Sequence, residues 1–181
     1  MNIRAKSEKG FSLIELLVVV AIIGVLAAVG VVGYQGYIDS TKQSVAESNS
    51  KAVHQWILNT KTVRAAGIAV TPSSCNTTGS SFDATACFGN SSGGASGIAG
   101  SGGPFEGFKN PYTTAQVGAS AIRGTASASV SSSSACFTGH DKGDIVVKYS
   151  TASGLPVTLD VFYCNNDTTY AQKETTSITW E

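Results

Sequence analysis

The stretch Lys9–Gly30, KGFSLIELLVVVAIIGVLAAVG, holds one carboxylate, Glu15, inside an otherwise unbroken apolar run. The run extends from Phe11 to Val32, 22 residues. At helical rise this spans roughly 33 Å, about the hydrocarbon thickness of a bilayer. Its flanks set a direction. Arg4, Lys6 and Lys9 precede it and Asp39 follows at a distance, so the N-terminus is expected on the cytoplasmic side and the remainder across the membrane. The run is too long for the apolar core of a secretory signal, and no small-x-small cleavage site follows a polar region beyond it. The expected cut lies before it, between Gly10 and Phe11, removing a charged leader and keeping the whole apolar helix.

These residues resemble the N-terminal signature of type IV pilins and their pseudopilin relatives. The matching features, over about residues 9–38, are Gly10 before the junction, Phe11 after it, Glu15 four residues on, the apolar helix with Gly24, and Tyr34 and Tyr37 beyond. The resemblance implies that a prepilin peptidase cuts after Gly10 and methylates the new Phe11 amine. It implies a subunit held in the bacterial inner membrane, N-terminus cytoplasmic, that then enters a helical homopolymer on the cell surface. A pilus assembly platform and an ATPase are the implied partners, since the chain has no nucleotide-binding loop. Fibres of this family serve adhesion, twitching motility and DNA uptake. The neighbouring readings are a pseudopilin of a type II secretion system and a minor tip pilin or adhesin. FKNPYTT, Phe108–Thr114, faintly resembles an Asn-Pro-Tyr segment of secretion pseudopilins, and a turn at Pro111 explains it as well.

A carboxylate in a membrane helix is costly and usually has a partner. Cutting after Gly10 creates an α-amino group at Phe11, largely cationic at neutral pH, about one turn from Glu15. The resemblance makes Glu15 a filament-assembly residue that docks on the amine of a neighbouring subunit. The plainer reading is that it complements the positive end of its own helix. The chain departs from many pilins at Val32, where they carry proline. Gly30, Gly33 and Gly36 follow or flank that position. They either soften the helix or permit close helix packing.

Beyond the apolar run, Tyr34, Ile38, Val45, Ala52, Trp56 and Val63 keep a three-to-four-residue period. This predicts an amphipathic continuation, with that face on a sheet, ending at Gly67 before Pro72. His54 reads as a solvated helix residue and Trp56 as a core anchor. Strand patterns return at Asp144–Ser150, Leu155–Tyr163 and Thr176–Trp180, with a hairpin at Thr151–Gly154. The expected fold is α+β: a long N-terminal helix whose C-terminal half packs on an antiparallel sheet head. The organisation is a leader at 1–10, a membrane or filament-core helix at 11–33, an amphipathic helix at 34–67 and a globular head at 68–181. Gly89–Gly103 and Ser127–Ala135 are low-complexity loops rich in Gly and Ser.

Four cysteines allow three pairings. Cys75–Cys87 and Cys136–Cys164 are expected, because each closes a short segment rich in loop residues outside the cytoplasm. The cysteines lack the close spacing of a zinc site, and no metal or cofactor is expected. The chain has 12 basic and 12 acidic residues and no basic stripe, so intrinsic nucleic-acid binding is not expected. Loss of residues 1–10 leaves 9 basic and 11 acidic side chains. GNSSG at Gly89–Gly93 matches G-x-S-x-G by chance within a Gly/Ser tract and lacks the strand and helix a nucleophile elbow needs, so no enzyme is expected. HDKGD, His140–Asp144, reads as a solvated turn or an oxygen-rich calcium loop. Asn76, Asn90 and Asn166 each open an N-x-S/T triplet.

Overall fold

The structure is a computed structural model that describes residues 10–90, 97–137, 139–172 and 174–181. The leader residues 1–9 and part of the Gly89–Gly103 tract, including most of GNSSG, lie outside the described residues. The chain divides into two compact units, Met1–Ser40 and Thr41–Glu181.

Helix α1 (Leu13–Ala65) is one α-helix of 53 residues. It passes through Gly24, Gly30, Gly33 and Gly36 without a break, and a Cβ at any of them would meet nothing within 4 Å. It ends where the sequence places its stop. Gly67, at φ +76°, turns the chain. Ile68 N donates to Val63 O at 3.2 Å and Gly67 N to Arg64 O at 2.9 Å, the paired bonds that satisfy a helix's last carbonyls.

The Thr41–Glu181 unit is α+β. Strands β1 (Ile122–Thr125), β2 (Ile145–Tyr149), β3 (Val157–Cys164), β4 (Tyr170–Ala171) and β5 (Ile178–Trp180) form one sheet in the order β1-β2-β3-β4, with β5 pairing the start of β3. The β2–β3, β3–β4 and β3–β5 pairings are antiparallel. The expected antiparallel sheet needs one correction: β1 pairs parallel with β2. The intervening segment 126–144 exceeds the dozen or so residues a parallel crossover requires.

One face of the sheet forms the main core. Ile145, Val147 and Tyr149 of β2, Val157, Leu159, Val161 and Tyr163 of β3, and Ile178 and Trp180 of β5 meet Ala46, Val53 and Ile57 of α1. The short helix α2 (Ala84–Phe88) adds Phe88, edge-on to Trp180 at 5.4 Å. Asp83 caps α2, its Oδ1 accepting from Thr85 N and Ala86 N. The other face carries a smaller core of Val130, Val146, Phe162 and Tyr170. The Ser-rich segment supplies this cover. Its Val130 is buried, Lys148 Nζ donates to Val130 O at 2.8 Å, and Ser133 N and Tyr170 N exchange bonds with Tyr170 O and Ser134 O.

The sheet-facing stripe of α1 differs from the expected one. Ala46, Ser50, Val53, His54, Ile57 and Thr60 are buried, whereas Val45, Ala52 and Val63 are exposed and Trp56 is half-buried. The two stripes lie one residue, about 100°, apart around the helix. Three polar residues disguise the buried one. Ser50 satisfies its hydroxyl on Glu47 O at 2.8 Å, and His54 Nε2 lies 3.1 Å from Thr176 O. His54 is therefore a core residue tied to the segment before β5, not a solvated one. Trp56 packs edge-on to Phe105 at the margin of the core, and the central tryptophan is Trp180.

Candidate functional site

The first candidate is the helix entry. Gly10 and Phe11 precede the first turn of α1, and Phe11 is 85% exposed. The backbone at the Gly10–Phe11 junction is thus outside helical hydrogen bonding. Ser12 and Glu15 stand at the spacing of a capping box, in which the third helical residue reaches back to the cap. Ser12 N donates to Glu15 Oε2 at 2.8 Å, and Leu16 N donates to Ser12 O at 3.2 Å. The carboxylate thereby satisfies one of the N–H groups that a helix start leaves without a partner.

Every large apolar side chain from Leu13 to Val32 is exposed, from 82% at Leu13 to 46% at Val19. This part of α1 is long and apolar enough to cross a membrane. Such a surface is stable only against lipid or other protein. Glu15 is the sole charged side chain between Phe11 and Ile38.

The second candidate is a buried polar cluster in the head, which joins two motifs that sequence reading left apart. Asn110, buried, donates from Nδ2 to Asp144 Oδ1 at 2.7 Å and to Gln116 Oε1 at 3.0 Å. Its Oδ1 accepts from Tyr112 N and Thr113 N, closing the turn at Pro111. Asp144 Oδ2 accepts from Asp141 N at 3.0 Å and pairs with Arg123 Nε at 3.4 Å. Gly143, at φ +85°, makes room: a Cβ there would meet Asn110 Oδ1 at 2.7 Å and Tyr112 Cδ2 at 2.8 Å. Burial pushes the Asp144 carboxyl up to about 6, against the Asp141 N–H, Asn110 and Arg123, which all favour its charge. HDKGD is therefore not a solvated turn. Both oxygens of its Asp144 are committed to protein groups, and among the described residues no group of three His, Cys, Asp or Glu is placed to hold a metal ion.

The cysteines form Cys75–Cys87 and Cys136–Cys164. The second joins the Ser-rich segment to the last residue of β3. Of the glycosylation triplets, Asn76 uses its amide on both Val70 N and Val70 O, and Asn166 accepts from the Tyr112 hydroxyl.

The description "Prokaryotic N-terminal methylation motif" matches residues 5–31. The chain carries a prepilin-type methylation motif. The motif covers the Gly10–Phe11 junction, Glu15 and most of the exposed apolar helix, and it supports a member of the type IV pilin and pseudopilin family, a structural rather than an enzymatic class. No curated protein and no solved structure matches the chain. The head beyond the motif is understood from its own residues alone.

Proposed function

We propose that the chain is a structural subunit that polymerises into a type IV pilus. The observation that carries this reading is the coincidence of the methylation motif with a helix whose apolar surface is wholly uncovered and bears a single carboxylate. A prepilin peptidase cuts between Gly10 and Phe11 and methylates Phe11. The mature helix waits in the inner membrane, and a platform and ATPase draw it into the filament. There the Phe11 amine of one copy meets Glu15 of its neighbour. In apolar surroundings such a pair fixes register, and loss of one member strands the other. Heads cover the surface of a fibre whose contacts do not close and so propagate. Adhesion, twitching motility and DNA uptake are the roles such a fibre serves.

A secretion pseudopilin is the second reading. It is favoured by the Asn110-Pro111-Tyr112 segment, which is anchored through Asn110 to buried Asp144 rather than lying as a bare surface turn. Intact-mass measurement on sheared surface material tests both. The pilus subunit is expected to dominate that fraction, to have lost ten residues and to carry one added methyl. Absence from the sheared fraction, with the processed chain retained in membranes, favours the pseudopilin.

A further inference from the structure

The stripe of α1 that turns away from the sheet is itself apolar. Within the Thr41–Glu181 unit, Val45 is 42% and Val63 38% exposed, Ala52 is exposed and Trp56 half-buried. Their intervals are seven, four and seven residues. This is the spacing of the a and d positions of a helix–helix seam, and it does not suit a strand, whose side chains repeat every second residue. A cavity of ≈440 Å³ adjoins the stripe, lined by Trp56, Val63, Val70, Gly103 and Pro104 among others. The stripe is narrow. Ser48, Asn49, Gln55 and Asn59 flank it within the same turns, a polar rim that suits a slender protein partner and not a lipid surface.

We propose that this stripe and its groove seat the apolar helix segment, residues 13–32, of a second copy of the chain. The proposal rests on the polymer reading above and names the contact that the head makes in it. The spacing calls for a helix, and the absence of charge calls for an apolar one. Each copy carries one uncovered apolar helix and one uncovered stripe. Gly24, Ala27 and Ala28 keep that helix slim, and close approach of helices depends on such small residues. A contact between two different patches of the same chain is heterologous and adds copies without limit.

The test uses the full chain in cells that process it. Ala52→Glu is expected to leave the processed subunit in the membrane at the parental level and to lower sheared filament by about tenfold or more, because a charge would be buried without a partner. Gln55→Glu, on the polar rim, is expected to leave filament unchanged. Parental filament from Ala52→Glu overturns the proposal. A photo-crosslinking residue at position 52 then identifies the occupant: attachment to peptides from residues 13–32 of another copy supports it, and attachment only to head peptides or to lipid overturns it. A parental chain that makes no filament at all defeats the polymer reading and this inference with it, whereas filament that tolerates Ala52→Glu defeats the inference alone.

Discussion

Ser12 presents its backbone N–H to Glu15 Oε2 at 2.8 Å, so the lone carboxylate of the apolar run folds back on its own helix. A cap needs only an acceptor oxygen, whereas an ion pair with a neighbouring amine needs charge.

Glu15→Gln separates the two. The amide oxygen of glutamine can still accept from Ser12 N, as capping boxes allow, so helix start, membrane insertion and cleavage are expected to persist. If the charge docks on Phe11 of the next copy, filament yield falls by about tenfold or more, since the amine is left without a counter-charge. Immunoblots of sheared and membrane fractions read both quantities. Filament at the parental level would show that Glu15 acts as a cap.

Asp144 gives the head a pH dependence. Its carboxyl is raised by burial from 3.8 to about 6. The folded state therefore holds the proton over a range in which the unfolded state has released it. Its contribution to stability is fully present below about pH 4 and is lost as pH rises through about 6. A shift of this size corresponds to about 3 kcal/mol over that range. The melting temperature of the detergent-solubilised chain should carry a component that falls between pH 4 and 6.5. In Asp144→Asn that component should be absent. An unchanged profile in the variant would assign the titration elsewhere.

The Cys136–Cys164 bond holds the Ser-rich segment over Val146, Phe162 and Tyr170. Closing a loop of 28 residues' separation stabilises by about 3–4 kcal/mol on the chain-entropy view. Replacing both cysteines with serine is expected to lower the melting temperature and to expose the back of the sheet to an apolar dye. A variant with parental melting and no dye binding would mean that Val130 and the Ser133–Tyr170 bonds hold the segment unaided.

The long helix was legible because a continuous apolar run and a three-to-four-residue period need no tertiary information. Gly67 was legible as a stop for the same local reason. The strands around Val147, Val161 and Thr179 announced themselves through β-branched and alternating residues. What escaped depended on distant partners. Arg123 and Gly124 give β1 no strand signature, and β4 is two residues long. The buried stripe of α1 was disguised by Ser50, His54 and Thr60, whose burial depends on bonds such as His54 to Thr176, 122 residues away. Asn110 and Asp144 were each read as part of a turn, and no local pattern joins residues 34 apart. The helix entry is the opposite case, because Ser12 and Glu15 carry their relation in a spacing of three.

Gly124 tests whether the edge of the sheet is built on close backbone approach. A Cβ there would stand 2.1 Å from Gly89 O and 3.0 Å from Phe88 O. Both obstacles are main chain, so the conflict is relieved only by moving β1 or the end of α2. Gly124→Ala is expected to cost about 1–3 kcal/mol, the usual range for forcing atoms into a packed site, and to lower the melting temperature of the solubilised chain. Gly30→Ala is the contrasting case. It has nothing within 4 Å, and alanine favours a helix over glycine by about 1 kcal/mol, so the single subunit should be no less stable. If Gly30→Ala melts normally yet lowers filament yield, the missing Cβ serves contacts between copies. If Gly124→Ala melts like the parent, the approach of β1 to Gly89 is looser than 2.1 Å implies.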